Sequence, residues 1–291
     1  LMAYLVCLVL VAAPLFLYEL IIGQHVRLST IRCYEKIRPR WKSLGYASAA
    51  MVFIVLSYYG MVNAYTIPYI IDSLKSPLPW IEGGSEAYWN DEILNTFPDI
   101  HDKPVGLGPV QPKLAVSLFG FWAVVVLSSI FGKKILAKVT YVTVTLPVLL
   151  MLVLVIRSAF LDGAADGISF YVGKFEASKL GDITVWATAC SQILFSLSPG
   201  MGVAITSSSY AHPKEDVYRV FLIVVTTNSL FSIIGGFAIF SIIGHVAYRE
   251  GIEVEEVATR SGTGLAFVTL AEAMQLFGAF SNVMSVLFYF M

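Results

Sequence analysis

Apolar stretches of helical length alternate with short polar ones along the whole chain. Seven of them, near residues 1–22, 44–74, 114–132, 135–156, 183–210, 217–246 and 273–291, approach or exceed the roughly 20 helical residues that cross a hydrocarbon core. The gap Gly132-Lys133-Lys134 divides the third from the fourth, and no charged residue falls between Asp182 and His212. In lipid a spanning segment must satisfy its own backbone, so the pattern predicts an all-α polytopic membrane protein. The first run has no basic residue ahead of it and is too long for a signal-peptide core, so a span is expected there. Both ends of the chain lie inside apolar runs, which reads as a fragment of a longer protein.

The polar stretches alternate in charge. Residues 25–43 carry Arg27, Arg32, Lys36, Arg38, Arg40 and Lys42 against Glu35 alone, and Lys133, Lys134 and Lys138 have no acid beside them. The intervening loops 75–113, 157–182 and 247–272 are acidic, and the turn 211–219 is balanced. Alternate loops hold eleven basic residues on one side and eight on the other, with the acids split three to fifteen. Positive loops stay inside, so residues 25–43 are expected in the cytoplasm and 75–113 and 247–272 outside. Six prolines with Trp80, Tyr88 and Trp89 make 75–113 a folded outer loop with short elements. In 247–272 a short amphipathic helix over 252–258, a turn at 261–264 and a second helix over 265–274 are expected. Two such helices can form a lid that dips toward the bundle; a solvated connector is the plainer alternative.

Composition narrows the function. The chain is 57% hydrophobic and 13% charged, against about 25% charge in soluble domains. A net charge of −1 gives nothing to attract nucleic acid. Cys7, Cys33 and Cys190 avoid the expected outer loops, so no disulfide-built ectodomain is expected. The four histidines lack metal-ligand spacing, and there is neither a phosphate-binding loop nor an activated nucleophile, so an enzyme is not expected.

The chemistry lies inside the bundle. In Gln192-Ile193-Leu194-Phe195-Ser196-Leu197-Ser198-Pro199-Gly200-Met201-Gly202, Pro199 cannot donate a backbone hydrogen bond and two glycines weaken the helix beyond it. Either a simple kink or an unwound ligand site accounts for this; an unwound segment would bare carbonyls and helix ends at mid-membrane. Gln192 and Ser196 stand i,i+4, as do Asn228 and Ser232, so each pair shares a helix face. These uncharged groups suit Na+ through oxygens or Cl− through N–H and O–H donors, or they serve as interhelical glue. Glu19 is costly at helix depth and is expected to be paired or near the cytoplasmic interface. Tyr58-Tyr59 falls mid-segment, where a phenol can donate to a carboxylate or pack passively.

In order along the chain, Pro14-Leu15-Phe16-Leu17-Tyr18-Glu19-Leu20-Ile21-Ile22-Gly23-Gln24, Ser57-Tyr58-Tyr59, Gly132-Lys133-Lys134, Gln192 through Gly202, Ser209-Tyr210, Asn228-Ser229 and Gly262-Thr263-Gly264-Leu265-Ala266-Phe267 resemble the sodium- and chloride-dependent neurotransmitter transporter family, the neurotransmitter:sodium symporters. The resemblance covers nearly the whole chain and is weakest in 75–113. It implies a fragment similar to family helices 2 through 8 of a partial five-plus-five inverted-repeat transporter fold. The fifth segment corresponds to the broken sixth helix. The chain would then be one piece of a single transporter domain in the plasma membrane, performing sodium- and chloride-coupled symport of a small amino acid or related amine by alternating access.

By the same resemblance, substrate would meet Val55, Tyr59, Phe195, Ser196, Ser198 and Met201. A sodium site would use Ser196 and Asn228, and a chloride site Tyr4, Gln192, Ser196, Asn228 and Ser232. Chloride-independent bacterial relatives carry a carboxylate where Ser232 stands, so chloride dependence is implied. Met201 stands where relatives often have Phe, Ala3 stands where relatives often have Pro, and 75–113 lacks the cysteine pair and glycosylation motifs of animal members. Further site walls and gates belong to helices outside this chain. The alternatives from other classes are a seven-helix receptor, for which no receptor motif is present, and an ion channel, which would need a continuous polar stripe.

Overall fold

The computed structural model describes residues 1–95, 110–130, 132–173, 177–259 and 263–290. Every regular element among them is helical. Among the described residues four helices are long and apolar enough to cross a membrane: α1 (Met2–Val26), Pro39–Asp72, Pro112–Ile130 and α5 (Val217–Glu250). Within the second of these run α2 (Lys42–Ala64) and its continuation Thr66–Asp72. Side chains such as Phe53, Ile54, Phe119 and Val126 point outward, as lipid-facing positions do. Of the other three expected segments, 135–156 lies whole within the helix Gly132–Ala159, whose far end bends sharply, and two are divided. Thr143–Ala159 and Ala164–Gly173 meet at a 117° bend, where Gly163 takes φ +81°. Residues 183–210 form α3 (Ile183–Leu197) and α4 (Val203–Ser208) with a gap between them. Gly278–Phe290 is a shorter apolar helix. Hydrophobicity alone does not sense the positive-φ residues that interrupt these runs.

Two compact units are present: Leu1–Ser57 with Val172–Ile233, and Tyr58–Tyr171 with Ile234–Met291. In the first, α1 contains a π-helical stretch at Leu8–Ala12, just ahead of Pro14. Proline has no N–H to give the preceding turn and its ring crowds that turn's carbonyl, and a widened turn relieves both. Cys7, Leu8, Ala12, Phe16 and Leu20 of α1 pack on Ile193, Leu197 and Ala204. Farther along α1, a Cβ on Gly23 would collide with Ser208 Oγ and the Ile205 carbonyl. Only glycine lets α1 and α4 approach this closely. Asp182 starts α3 by accepting the Thr184 N–H at 2.8 Å, which holds its carboxyl below the usual range.

In the second unit, Tyr69, Trp80, Tyr88, Trp89, Phe267 and Tyr289 form a buried aromatic cluster. Tyr69 stacks on Tyr289 with centroids 4.5 Å apart, and Trp89 on Phe267 at 4.9 Å. Asp72 ties its edge together: it accepts from Tyr88 Oη at 2.5 Å and pairs with Lys75 Nζ at 2.6 Å and Lys113 Nζ at 3.5 Å. Residues 75–95 thus carry short helical turns over buried aromatics. The remainder of that loop to 109, and the turn at 260–262, lie outside the described residues. On either side of the latter are α6 (Val254–Thr259) and α7 (Thr263–Gln275). Val257 and Met274 are buried in one apolar cluster with Ile242 and Val246.

Candidate functional site

The break between α3 and α4 is an unwound segment. Ser198 is left-handed at φ 54°, ψ 33°, and its N–H closes the helix on the Leu194 carbonyl at 2.9 Å. Gly200 and Gly202 follow at φ +86° and +74°. A proline kink keeps right-handed geometry on both sides; three positive-φ residues within five positions do not. The segment is pinned from outside itself. Thr30 Oγ1 donates to the Gly202 carbonyl at 3.0 Å and lies 3.1 Å from Thr206 Oγ1. Glu19 Oε1 accepts the Gly200 N–H at 2.8 Å.

Just before the break, Ser196 faces Asn228 of α5. Asn228 Nδ2 donates to Ser196 Oγ at 2.9 Å, and that hydroxyl lies 3.4 Å from Asn228 Oδ1. The bridge leaves an amide oxygen and hydroxyl lone pairs for a cation, in a place without net charge. Ser232 Oγ donates to the Asn228 carbonyl at 2.9 Å. Tyr4 packs in the cluster that holds Ile193 and Val225, and its hydroxyl is buried without a partner. Gln192 is exposed, one residue ahead of buried Ile193.

The structure therefore joins the side chains of Ser196 and Asn228, whereas the Ser232 hydroxyl bonds back to the main chain of its own helix. Ser198 is half-buried and donates to the Phe195 carbonyl at 2.9 Å. The Phe195 ring is exposed and Met201 half-buried. Val55 and Tyr59 stand i,i+4 on α2, the first half-buried in the first unit, the second exposed in the second unit.

Glu19 is 3% exposed, so its carboxyl needs a partner within the protein. Its partner is a backbone N–H of the unwound segment instead of a basic side chain, and Oε2 is buried without a partner. The signal was an acid in an apolar helix; the identity of its partner had no local signal. The partners of Thr30, Gln24 and Arg27 likewise had no local signal. Gln24 Nε2 donates to the carbonyls of His212 and Glu215 at 2.8 and 2.9 Å, and Arg27 Nη2 to that of Ala211 at 3.3 Å. Among the described residues no group of three or more His, Cys, Asp or Glu could hold a metal ion.

A multi-pass helical membrane protein with one central helix unwound is built as part of a five-plus-five inverted-repeat transporter. The structure matches that of MhsT, solved in complex with L-phenylalanine, at a TM-score of 0.73 and 24% identity, covering 99% of this chain and 60% of that one. The sodium:neurotransmitter symporter family matches residues 1–95 and 82–291, and the chain belongs to that family. It is 30% identical to the sodium-dependent nutrient amino acid transporter 1 of Drosophila persimilis and 31% identical to that of Drosophila grimshawi, over 100% of this chain and 50% and 51% of theirs. The chain thus spans about half the length of these relatives. The receptor and channel alternatives give way to a family of symporters, which are not enzymes.

Proposed function

We propose that the protein to which this chain belongs carries a small amino acid or related amine across the plasma membrane by alternating access, coupled to Na+ and Cl−. The observation that carries this reading is the uncharged Ser196–Asn228 bridge beside the unwound segment. Oxygen ligands there suit a hard, monovalent cation, and the carbonyls that an unwound segment bares would suit an ammonium group. Relatives at about 30% identity are named as sodium-dependent amino acid transporters, and the structurally similar MhsT holds L-phenylalanine.

In this reading Ser196 and Asn228 contribute to a sodium site. Tyr4, Gln192, Ser196, Asn228 and Ser232 supply N–H and O–H donors for chloride, and the orphaned Tyr4 hydroxyl supports that role. Val55, Tyr59, Phe195, Ser196, Ser198 and Met201 meet the substrate. The chain is one piece of a single transporter domain. Loops 75–113 and 247–272 face outside, the latter acting as a lid, and 25–43 faces the cytoplasm. The test is uptake of radiolabelled amino acids by the full-length protein in proteoliposomes. Uptake is expected to stop when external Na+ is replaced by choline or Cl− by gluconate. Undiminished uptake in gluconate would reject the chloride assignment, and in choline the whole coupling scheme.

A further inference from the structure

Two of the three cysteines meet across the contact of α1 with α3, within the first unit. Cys7 is buried on α1, and its thiol donates to the Trp186 carbonyl at 4.0 Å. In an α-helix a carbonyl accepts the N–H of the residue four positions on, and within α3 that residue is Cys190. The Cys7 sulfur therefore stands beside the backbone of Cys190, and the Cys190 thiol is within hydrogen-bonding reach of it. Trp186, Ala189 and Cys190 pack in the same cluster as Cys7. A buried cysteine by itself acts as a small apolar side chain, and Cys33 is of that kind. It is fully buried, donates to the Leu28 carbonyl at 3.2 Å, and packs among Ile22, Tyr34 and Ile205 with no second thiol. Cys7 and Cys190 differ because thiols on two facing helices can be joined.

We propose that Cys7 and Cys190 form a redox-modification site, at which a hydroperoxide converts the two thiols into a disulfide that fastens α3 to α1. Cys190 is half-buried and stands about two turns inside the Ile183 end of α3, so an oxidant reaches it first. Its sulfur attacks one peroxide oxygen: an S–O bond forms, the O–O bond breaks, and a sulfenic acid and one water result. The Cys7 sulfur then attacks the Cys190 sulfur, forming S–S and breaking S–O, and the hydroxyl leaves with the Cys7 proton as a second water. Two thiols and one hydrogen peroxide thus give one disulfide and two waters, the sulfurs having passed two electrons to the peroxide. A reducing thiol reverses the change. Neither cysteine belongs to the transport-site set, so this site stands or falls apart from that reading.

The test is peptide mapping by mass spectrometry of the full-length protein in lipid nanodiscs, treated with hydrogen peroxide, blocked with N-ethylmaleimide and digested. A Cys7–Cys190 linked peptide pair is expected to form with peroxide and to vanish on treatment with dithiothreitol, while Cys33 stays alkylated. In C7S the sulfenic acid on Cys190 has no thiol to resolve it. Dimedone, which traps sulfenic acids, is therefore expected to label Cys190 at least tenfold more in C7S than in the wild type. Equal melting temperatures establish that C7S is folded, and the wild-type map decides the matter without any variant. Recovery of Cys7 and Cys190 alkylated after peroxide, their linkage to other cysteines in place of each other, or equal dimedone labelling of C7S and wild type overturns the proposal.

Discussion

Glu19 and Gly200, 181 residues apart in sequence, meet through one hydrogen bond, the carboxylate Oε1 accepting the backbone N–H at 2.8 Å. This bond supplies the acceptor that a broken helix cannot supply for itself. An unwound backbone inside a bundle is stable only where other protein groups take up its polar atoms, and Glu19 meets that requirement from a buried position on α1.

Replacing Glu19 with Leu should therefore destabilise the break. Losing a hydrogen bond to a charged group costs about 1.5–3 kcal/mol. E19L is expected to lower the melting temperature of the purified full-length protein and to abolish uptake, whereas E19Q, which keeps an acceptor oxygen, should be milder on stability. Equal melting of E19L and wild type would show that the bond contributes nothing.

Gly23→Ala tests the approach of α1 to α4. Overpacking a tight contact costs about 1–3 kcal/mol, so reduced stability and surface expression are expected. Because the added Cβ meets both Ser208 Oγ and the Ile205 carbonyl, removing the hydroxyl in G23A/S208A should restore only part of the loss. Full recovery would contradict the backbone contribution.

Ser232→Glu places a fixed negative charge one helical turn from Asn228, within the donor set assigned to chloride. Uptake by S232E is expected to persist in gluconate while the wild type stops. Parallel loss in both proteins would argue that Ser232 lies outside the anion site.

The basic loop has a defined pH response. Lys42 donates to Glu35 at 2.9 Å, and this bond, with the charges of Lys42 and Arg32, holds the Glu35 carboxyl below its usual range. A carboxylate depressed in the fold contributes stability above its unfolded pKa of about 4.3 and loses it as pH falls through the lower folded value. Hydrogen exchange in residues 30–42 should therefore be flat from neutral down to mildly acidic pH and rise only below the carboxylate range. In K42M the baseline should rise and that acid step shrink, as it also should in high salt. A step near neutrality would assign the response to another group.

Much of the frame was legible because long apolar runs have one solution in lipid. The break was legible too, since Pro199 and two glycines act on their own turn, although the residues could not decide between a kink and an unwound segment until Ser198 was seen left-handed. What stayed hidden is non-local. Nothing near Glu19 names Gly200, and nothing near Gly23 reveals that Ser208 presses against it. The 135–156 run is one unbroken helical stretch, as expected, whereas the division of 273–291 was hidden because Gly278 adopts positive φ in a stretch whose average hydrophobicity is unchanged.

The polar fastenings of the unwound helix are unevenly distributed. Thr30, Gln24 and Arg27, with the close fit at Gly23, all hold α4 and the turn after it, whereas α3 has its side-chain bridge to α5. Spin labels at Leu28 and Lys214 should keep one separation with and without Na+; a change would refute the coupling that follows. The C-terminal end of α1 and the second half of the broken helix are thus fastened to each other by several bonds at once, so that a displacement of either carries the other with it.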